Sequence, residues 1–342
     1  MNEFKPKIYK TKPKGKYILV DAFSKQIKEL FFIDNREFIG GDKQKAYKSK
    51  EFSAYKKNKE KQFKYIYYPW NNHLVKCIKE ADYFRLKTSR NRDLITPFEQ
   101  EKLRDYKIAV LGMSVGSNIA FVLTQAGISK EITIADFDEL DTTNLNRIWA
   151  GVHQVGLNKA VVASRRIYED NPYAKVRVLD KGITPKLLDK LLREKKVDCI
   201  VEEIDSVPMK VETRRLARKY KIPVLMVTDN GDWAVLHIER YDLGYKKFHE
   251  KDFRYWDKRV RSAQYPKGFA DIVINDLIGG TDKVDPKMLV SAARVANREL
   301  VSWPQLGTSA LLGGIAVTVT IKRIVTGSDK NLFVREYIKV LE

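Results

Sequence analysis

Cysteine is nearly absent from this 342-residue chain: only Cys77 and Cys199 occur, and neither belongs to a C-x-x-C pair. A structural zinc held by four cysteines is thereby excluded, and zinc is not expected as a cofactor. Cys199 lies in the apolar stretch VDCIV, the setting of an inert buried thiol and not of a nucleophile. The four histidines, His73, His153, His237 and His249, show no metal-ligand spacing. No uncharged apolar run reaches the roughly 18–20 residues of a membrane span. The closest, Ala310–Ile321, is interrupted by Gly313-Gly314 and reads as part of a buried helix. The N-terminus is basic but lacks the apolar stretch of a signal peptide. Long Gly/Ser or Pro-rich linkers and internal repeats are also missing. These absences predict a cytoplasmic protein with no membrane partner.

What the chain has in excess is positive charge. The formal net charge is +20, and residues 1–90 carry most of it, with 20 Lys and 3 Arg against 10 acidic residues. Lysines alternate with aromatics over KQKAYKSKEFSAYKKNKEKQFKYIYYPW (43–70). Two readings stay open: a phosphate-backbone surface with rings for stacking on bases, or an amphipathic helix near 43–64 with a solvated basic face. Residues 1–89 are set apart as a basic, aromatic-rich segment whose fold the pattern does not specify.

From residue 107 short apolar strands alternate with helical stretches. Strands are expected at 107–111, 131–135, 175–179, 197–201 and 222–227, and helices at 115–127, 156–170, 184–195 and 207–220. This order predicts a Rossmann-like, doubly wound α/β fold with a mostly parallel sheet and helices on both faces. In such a sheet the ligand sits at the carboxyl ends of the strands. Residues 285–300 read as a helix with Asp285 as N-cap and Pro286 in the first turn. A second, mostly buried helix is expected over 306–325. The chain then divides into the segment 1–89, a nucleotide-binding domain 90–242 and a C-terminal extension 243–342 packing on that domain.

The stretch KIAVLGMSVGSNIAFVLTQAG (107–127) opens like a dinucleotide-binding unit, but Gly112 and Gly116 are four apart and Ser114 stands between them. The loop follows a strand and starts a helix, so its backbone N–H groups, with Ser114 and Ser117, are placed to face an anion. Twenty residues beyond Gly116, Asp136 ends the second strand, a spacing suited to a ribose. To this point a dinucleotide and ATP are equally served. The loop DFDELDTTNLNR (136–147) then gathers Asp136, Asp138, Asn144 and Arg147, with Lys159 at the start of the next helix. A triphosphate with Mg²⁺ uses such a set of cations and carboxylates, whereas NAD does not require it. Asp205, directly after VDCIV, falls on the same rim and is the candidate Mg²⁺ ligand.

In this order RNRDLITPFEQEKLRDYKIAVLGMSVGSNIA, ADFDELDTTNLNR, VGLNKAVVA and IDSVPMKVETRRLARKYKIPVLM resemble the ThiF-type adenylyltransferases. That superfamily includes the ubiquitin-activating enzymes, and the resemblance covers about 90–242. YYPW (67–70), GMSVG and WPQLGTSALLGG (303–314) look like a bacterial branch in which this unit is often fused to a nitroreductase domain. No such domain fits after residue 326, so no flavin is expected.

The resemblance implies an enzyme that binds MgATP and lets a substrate carboxylate, of a small acid or a protein C-terminus, attack the α-phosphate. Asp136 would bind the ribose, Asn144, Arg147 and Lys159 the phosphates, and Asp205 the Mg²⁺. Asp138 matches a family acidic position. Arg92, in RNRD, matches an arginine that reaches into the partner's site across a homodimer. The loop is one residue shorter than the family's G-x-G-G-x-G. After Cys199 the chain has no cysteine, so no thioester step is expected. Alternatives are a tRNA-acting threonylcarbamoyl-adenosine dehydratase of the same superfamily, which the basic N-terminal segment favours, a non-catalytic ATP-binding scaffold, and an NAD-dependent oxidoreductase.

Overall fold

A computed structural model describes residues 4–262 and 267–340. The chain forms two compact units, one reaching to Gln100 and taking in Tyr168–Tyr173, the other made of Glu101–Ile167 and the chain from Ala174 onward.

The first unit contains a four-stranded sheet of β1 (Lys7–Tyr9), β2 (Ile18–Asp21), β3 (Lys64–Tyr68) and β4 (His73–Cys77), in the order β1-β3-β4-β2. Strands β2 and β4 pair in parallel, the others antiparallel. The helix Phe23–Asp34 buries Phe23, Ile27, Leu30 and Phe31, the one-sided stripe that a 3.6-residue period provides. The single helix expected near 43–64 is instead two, Lys43–Lys48 and Lys50–Lys59. Ser49 makes the break: its backbone is extended and its side chain caps the second helix by accepting from the Phe52 N–H. Beyond them the aromatic KYIYY becomes strand β3.

The rings that alternate with lysine turn inward. Phe52 is buried with its ring edge-on to Phe31, and Tyr55 packs on the same ring while its hydroxyl donates to Asp34 (2.7 Å). Lys43, Lys45, Lys48, Lys50, Lys56 and Lys57 stay exposed.

The second unit is built on a seven-stranded sheet of β5 (Ile108–Leu111), β6 (Glu131–Ala135), β7 (Lys175–Leu179), β8 (Cys199–Glu202), β9 (Val224–Asn230), β10 (Trp233–Glu239) and β11 (Phe333–Ile338). Their spatial order is β7-β6-β5-β8-β9-β10-β11. The first five are parallel, and β10 and β11 add antiparallel to that edge. This is the mostly parallel α/β sheet expected from the sequence. Strand β5 is buried along its whole length. Ala109 and Leu111 face a core of Leu188, Leu191, Leu192 and Ala217 from the helices Pro185–Arg193 and Val207–Tyr220. Val110 meets the helix Val115–Gln125. Burial on both faces explains why IAVL is a continuous apolar run with no alternation.

The helix Gly307–Thr326 packs on Val115–Gln125 and on β9 and β10. Its glycines allow this: a Cβ on Gly313 would fall 2.9 Å from Val227, and one on Gly314 3.2 Å from the Asn118 carbonyl. It matches the helix expected over 306–325, and by length and composition alone its 20 residues could cross a membrane, although half of its apolar window is buried within the protein. The predicted helix at 285–300 spans Pro286–Ala296, with the Asp285 carboxylate accepting from the Lys287 N–H.

Candidate functional site

Chain order along the sheet reverses between β5 and β8, and the glycine loop leaves β5 at that switch point, where ligands of open α/β sheets bind. Gly112 sits at φ +94°, and a Cβ there would lie 2.4 Å from the carbonyl oxygen of Glu203. Only glycine lets the loop cross the end of β8 so closely. Gly116 serves the helix, since a Cβ would fall 2.9 Å from Val110 Cγ1. No side chain caps the helix Val115–Gln125, so its first-turn N–H groups remain available to an anion. The Ser117 hydroxyl donates to the Ser114 carbonyl (2.8 Å).

Asp136, at the end of β6, accepts from the Met113 N–H (2.6 Å) and the Asp138 N–H (2.8 Å). It therefore ties the glycine loop to the neighbouring strand. Burial pushes its carboxyl above the ordinary range, against the pull of these two N–H groups and Lys159. Asp138 is exposed and pairs with Lys159 at 2.9 Å. Asn144 is buried, and its side-chain oxygen accepts from the Asp141 N–H (3.0 Å) in a reciprocal cap. That oxygen is spent on the loop's own fold. Arg147 donates through Nε to Ser114 Oγ (3.1 Å) and through a terminal nitrogen to Thr143 O and Asn146 Oδ1.

A cavity of about 320 Å³ opens at this point, and of the residues predicted from sequence, Ser114, Arg147 and Asp205 line it. Gly112, Gly116, Ser117 and Asp136 shape the loop beside it. Lys159 and Asp138 form their pair nearby, with the Lys159 charge felt at both Asp136 and Asp205. Arg92 is exposed and lies in the first unit, outside the set that the second unit assembles.

Three charged residues in the cavity wall escaped the sequence reading: Glu203, Lys210 and Asp229. Glu203 accepts from the Val227 N–H (2.9 Å), and the protein packed around its carboxyl raises it well above the usual carboxylate range. Asp229 is buried at the end of β9 and accepts from Ser309 Oγ (2.7 Å) and Gln305 Nε2 (3.2 Å). The rule that located Asp136 and Asp205, an acid at a strand's carboxyl end, applies equally to Asp229 in VTDNGD. Lys210 is held by Glu202 at 3.1 Å in a fully buried network in which Arg214 bridges Glu202 and Glu239. Phe269, Val273, Leu277 and Trp303 supply an apolar wall from the C-terminal part.

A model described as the ThiF family matches residues 88–334. An uncharacterised protein of Mycobacterium tuberculosis is 33% identical over 279 residues, 77% of this chain and 36% of that protein. The tRNA threonylcarbamoyladenosine dehydratase of Escherichia coli is 38% identical over 131 residues, 37% of this chain and 47% of that enzyme. The chain thus spans between a third and a half of the length of these relatives. The crystal structure of that dehydratase in complex with ATP superimposes with a TM-score of 0.52 at 21% identity, covering 73% of this chain and 98% of the other. At that identity the likeness establishes the shared fold.

Proposed function

The chain belongs to the ThiF family, and from that premise we propose that it is an ATP-dependent adenylyltransferase acting on a carboxylate. The observation that carries this reading is the convergence of an uncapped helix N-terminus, Ser114, Arg147 and Asp205 on one cavity at the sheet's switch point. Phosphates would lie against the Val115–Gln125 N-terminus with Arg147 and Lys159, and the ribose beside Asp136. A carboxylate oxygen of the acceptor attacks the α-phosphorus while the bond to the bridging oxygen breaks. Pyrophosphate leaves with the electron pair, and an acyl-adenylate remains. No proton need move, because the carboxylate is already nucleophilic at neutral pH. The chain's work is positioning and charge neutralisation.

Mg²⁺ accompanies ATP in this reading. The described residues hold no group of three or more His, Cys, Asp or Glu able to hold a metal by themselves. An exposed Asp205 suits an ion that takes one or two carboxylates and completes its shell with phosphate and water. Bound there, the ion would neutralise phosphoryl charge. Both cysteines are buried, and burial pushes both thiols up, which supports adenylation without a thioester. A homodimer, with Arg92 reaching the partner's site, belongs to the same reading. Membership of the nitroreductase-associated bacterial branch is part of the same proposal. A tRNA-directed dehydratase is the second reading, favoured by the 38% identity to the Escherichia coli enzyme.

Calorimetry with ATP, with and without Mg²⁺, and with NAD tests the nucleotide. ATP binding that weakens without metal is expected, and binding of NAD alone would refute the reading. Pyrophosphate release with candidate acids, peptides and tRNA then separates the two acceptor classes.

A further inference from the structure

We propose that the cavity beside Arg147 receives the body of the acceptor, and that this acceptor is a small monocarboxylic acid with a compact apolar body; the proposal rests on the adenylation reading above. The cavity volume of about 320 Å³ lies at the small end of ligand sites, roughly 300–1,000 Å³. One wall is Phe269, Val273 and Leu277, spaced i, i+4, i+8 along the helix Lys267–Asp271 and the wider π-helical turn Ile272–Ile278 that continues it. Trp303 adds a ring, and Val115 and Val227 add aliphatic surface. Ser114 and Arg147 also line the cavity and give it a cationic, hydrogen-bonding element. An acid whose carboxylate points to the Arg147 side, where the adenylation reading places the α-phosphate it attacks, and whose hydrocarbon lies against Phe269, Val273 and Leu277 satisfies both.

The other acceptor classes fit less well. Glu203 and Asp229 stand in the wall and Lys210 is already paired with Glu202, which leaves Arg147: one cation can receive a single carboxylate, but not the successive phosphates of a nucleic-acid backbone. An extended peptide tail needs partners for each of its own N–H and C=O groups, which the wall of Phe269, Val273 and Leu277 does not offer, and of the polar lining residues Gln305 is already bonded to Asp229.

The test is ATP–pyrophosphate exchange by the full chain with 3-phenylpropanoate, 4-methylpentanoate, succinate, a peptide ending in Gly-Gly, or bulk tRNA. Exchange at least tenfold above background is expected with the first two. Val273→Phe, which fills the cavity, should raise KM for them at least fivefold while ATP affinity stays within twofold. Trp303→Ala, outside the regular elements, should do likewise if the core variant fails to fold. Binding without ATP is followed by tryptophan fluorescence, with Trp303→Phe to assign the signal. Exchange driven only by succinate, the peptide or tRNA, or an unchanged KM in the folded variants, overturns the proposal. Saturable quenching by the apolar acids with no exchange by any acceptor would sink the adenylation reading and leave the cavity assignment standing. The absence of both quenching and exchange with these acids overturns the cavity assignment itself.

Discussion

Replacing Gly112 by alanine asks whether the close crossing of the loop over β8 makes the site. Gly112 has φ +94°, and the added Cβ would lie 2.4 Å from the Glu203 carbonyl oxygen and 2.7 Å from its carbonyl carbon. A side chain at positive φ costs about 1–2 kcal/mol. The contact is with backbone, so no rotamer change relieves it. Glu203 is also pinned, since its N–H donates to Leu111 O (2.7 Å) and its side chain accepts from Val227 N–H (2.9 Å). Separating the two segments weakens at least one buried hydrogen bond, worth about 1–3 kcal/mol when its partner is left unsatisfied. The expected loss is therefore about 2–5 kcal/mol, read by urea unfolding followed by far-UV circular dichroism. Under conditions where the variant is folded, calorimetry should show ATP affinity down more than tenfold, because Ser114 and the helix N-terminus shift with the loop. A loss within about 0.5 kcal/mol, the range of an ordinary surface change, together with unchanged ATP affinity, would refute the reasoning.

Arg147→Ala should lower the rate of adenylation by about 2–4 kcal/mol of transition-state stabilisation, checked by pyrophosphate release at saturating ATP. Arg214→Leu leaves the buried Glu239 without its cation and Glu202 with Lys210 alone, and should cost about 3–5 kcal/mol, measured by the same urea titration. His237 and His249 are buried, their ring centroids are 4.3 Å apart, and burial holds both well below the ordinary imidazole range. Below about pH 6.5 the unfolded chain takes up protons that the folded one refuses, so stability is full above that pH and falls as pH drops, by up to about 1.4 kcal/mol per unit for each ring. Urea midpoints between pH 7.5 and 5 should show this, and should flatten in His237→Phe. Mixing Arg92→Ala with Lys159→Ala should restore part of the activity if Arg92 acts from a second copy; no recovery despite subunit exchange would place it elsewhere.

The central sheet was legible because its strands carry their own signal. IAVL, EITIA and CIVE are short apolar runs bounded by turn residues, and the helices between them bury one-sided stripes such as Leu188, Leu191 and Leu192. Asp136 and Asp205 were found because strand ends select them. Glu203 stayed hidden because in VEEIDS three acids lie within four residues, and only the pleat decides which carboxyl turns inward. The N-terminal unit was illegible for another reason. Its lysines and aromatics alternate in a way that suits either a nucleic-acid surface or a small core, and Phe31, far away in sequence, is the ring that Phe52 and Tyr55 pack against. The apolar wall of Phe269, Val273 and Trp303 likewise comes from segments whose positions only the tertiary fold defines.

Most of the predicted ligand groups are already engaged within the protein. Arg147 is held by Ser114 and Asn146, Lys159 by Asp138, and Asp136 by the Met113 and Asp138 N–H groups. Such engagement lowers the entropic cost of binding, because a long cationic side chain kept in one rotamer loses little further freedom when a phosphate replaces its partner. At Lys159 one anionic partner is exchanged for another: Asp138 is about half exposed, whereas the Lys159 side chain is largely covered by protein and so keeps a counter-charge in either state. Asp138 then stays at the rim as a second carboxylate beside Asp205, where it disfavours any anion that does not bring its own counter-charge. In the proposed reading a nucleotide that brings Mg²⁺ offsets both carboxylates, which a lone phosphate does not, so that Asp138, which steadies Lys159, would also discriminate between them.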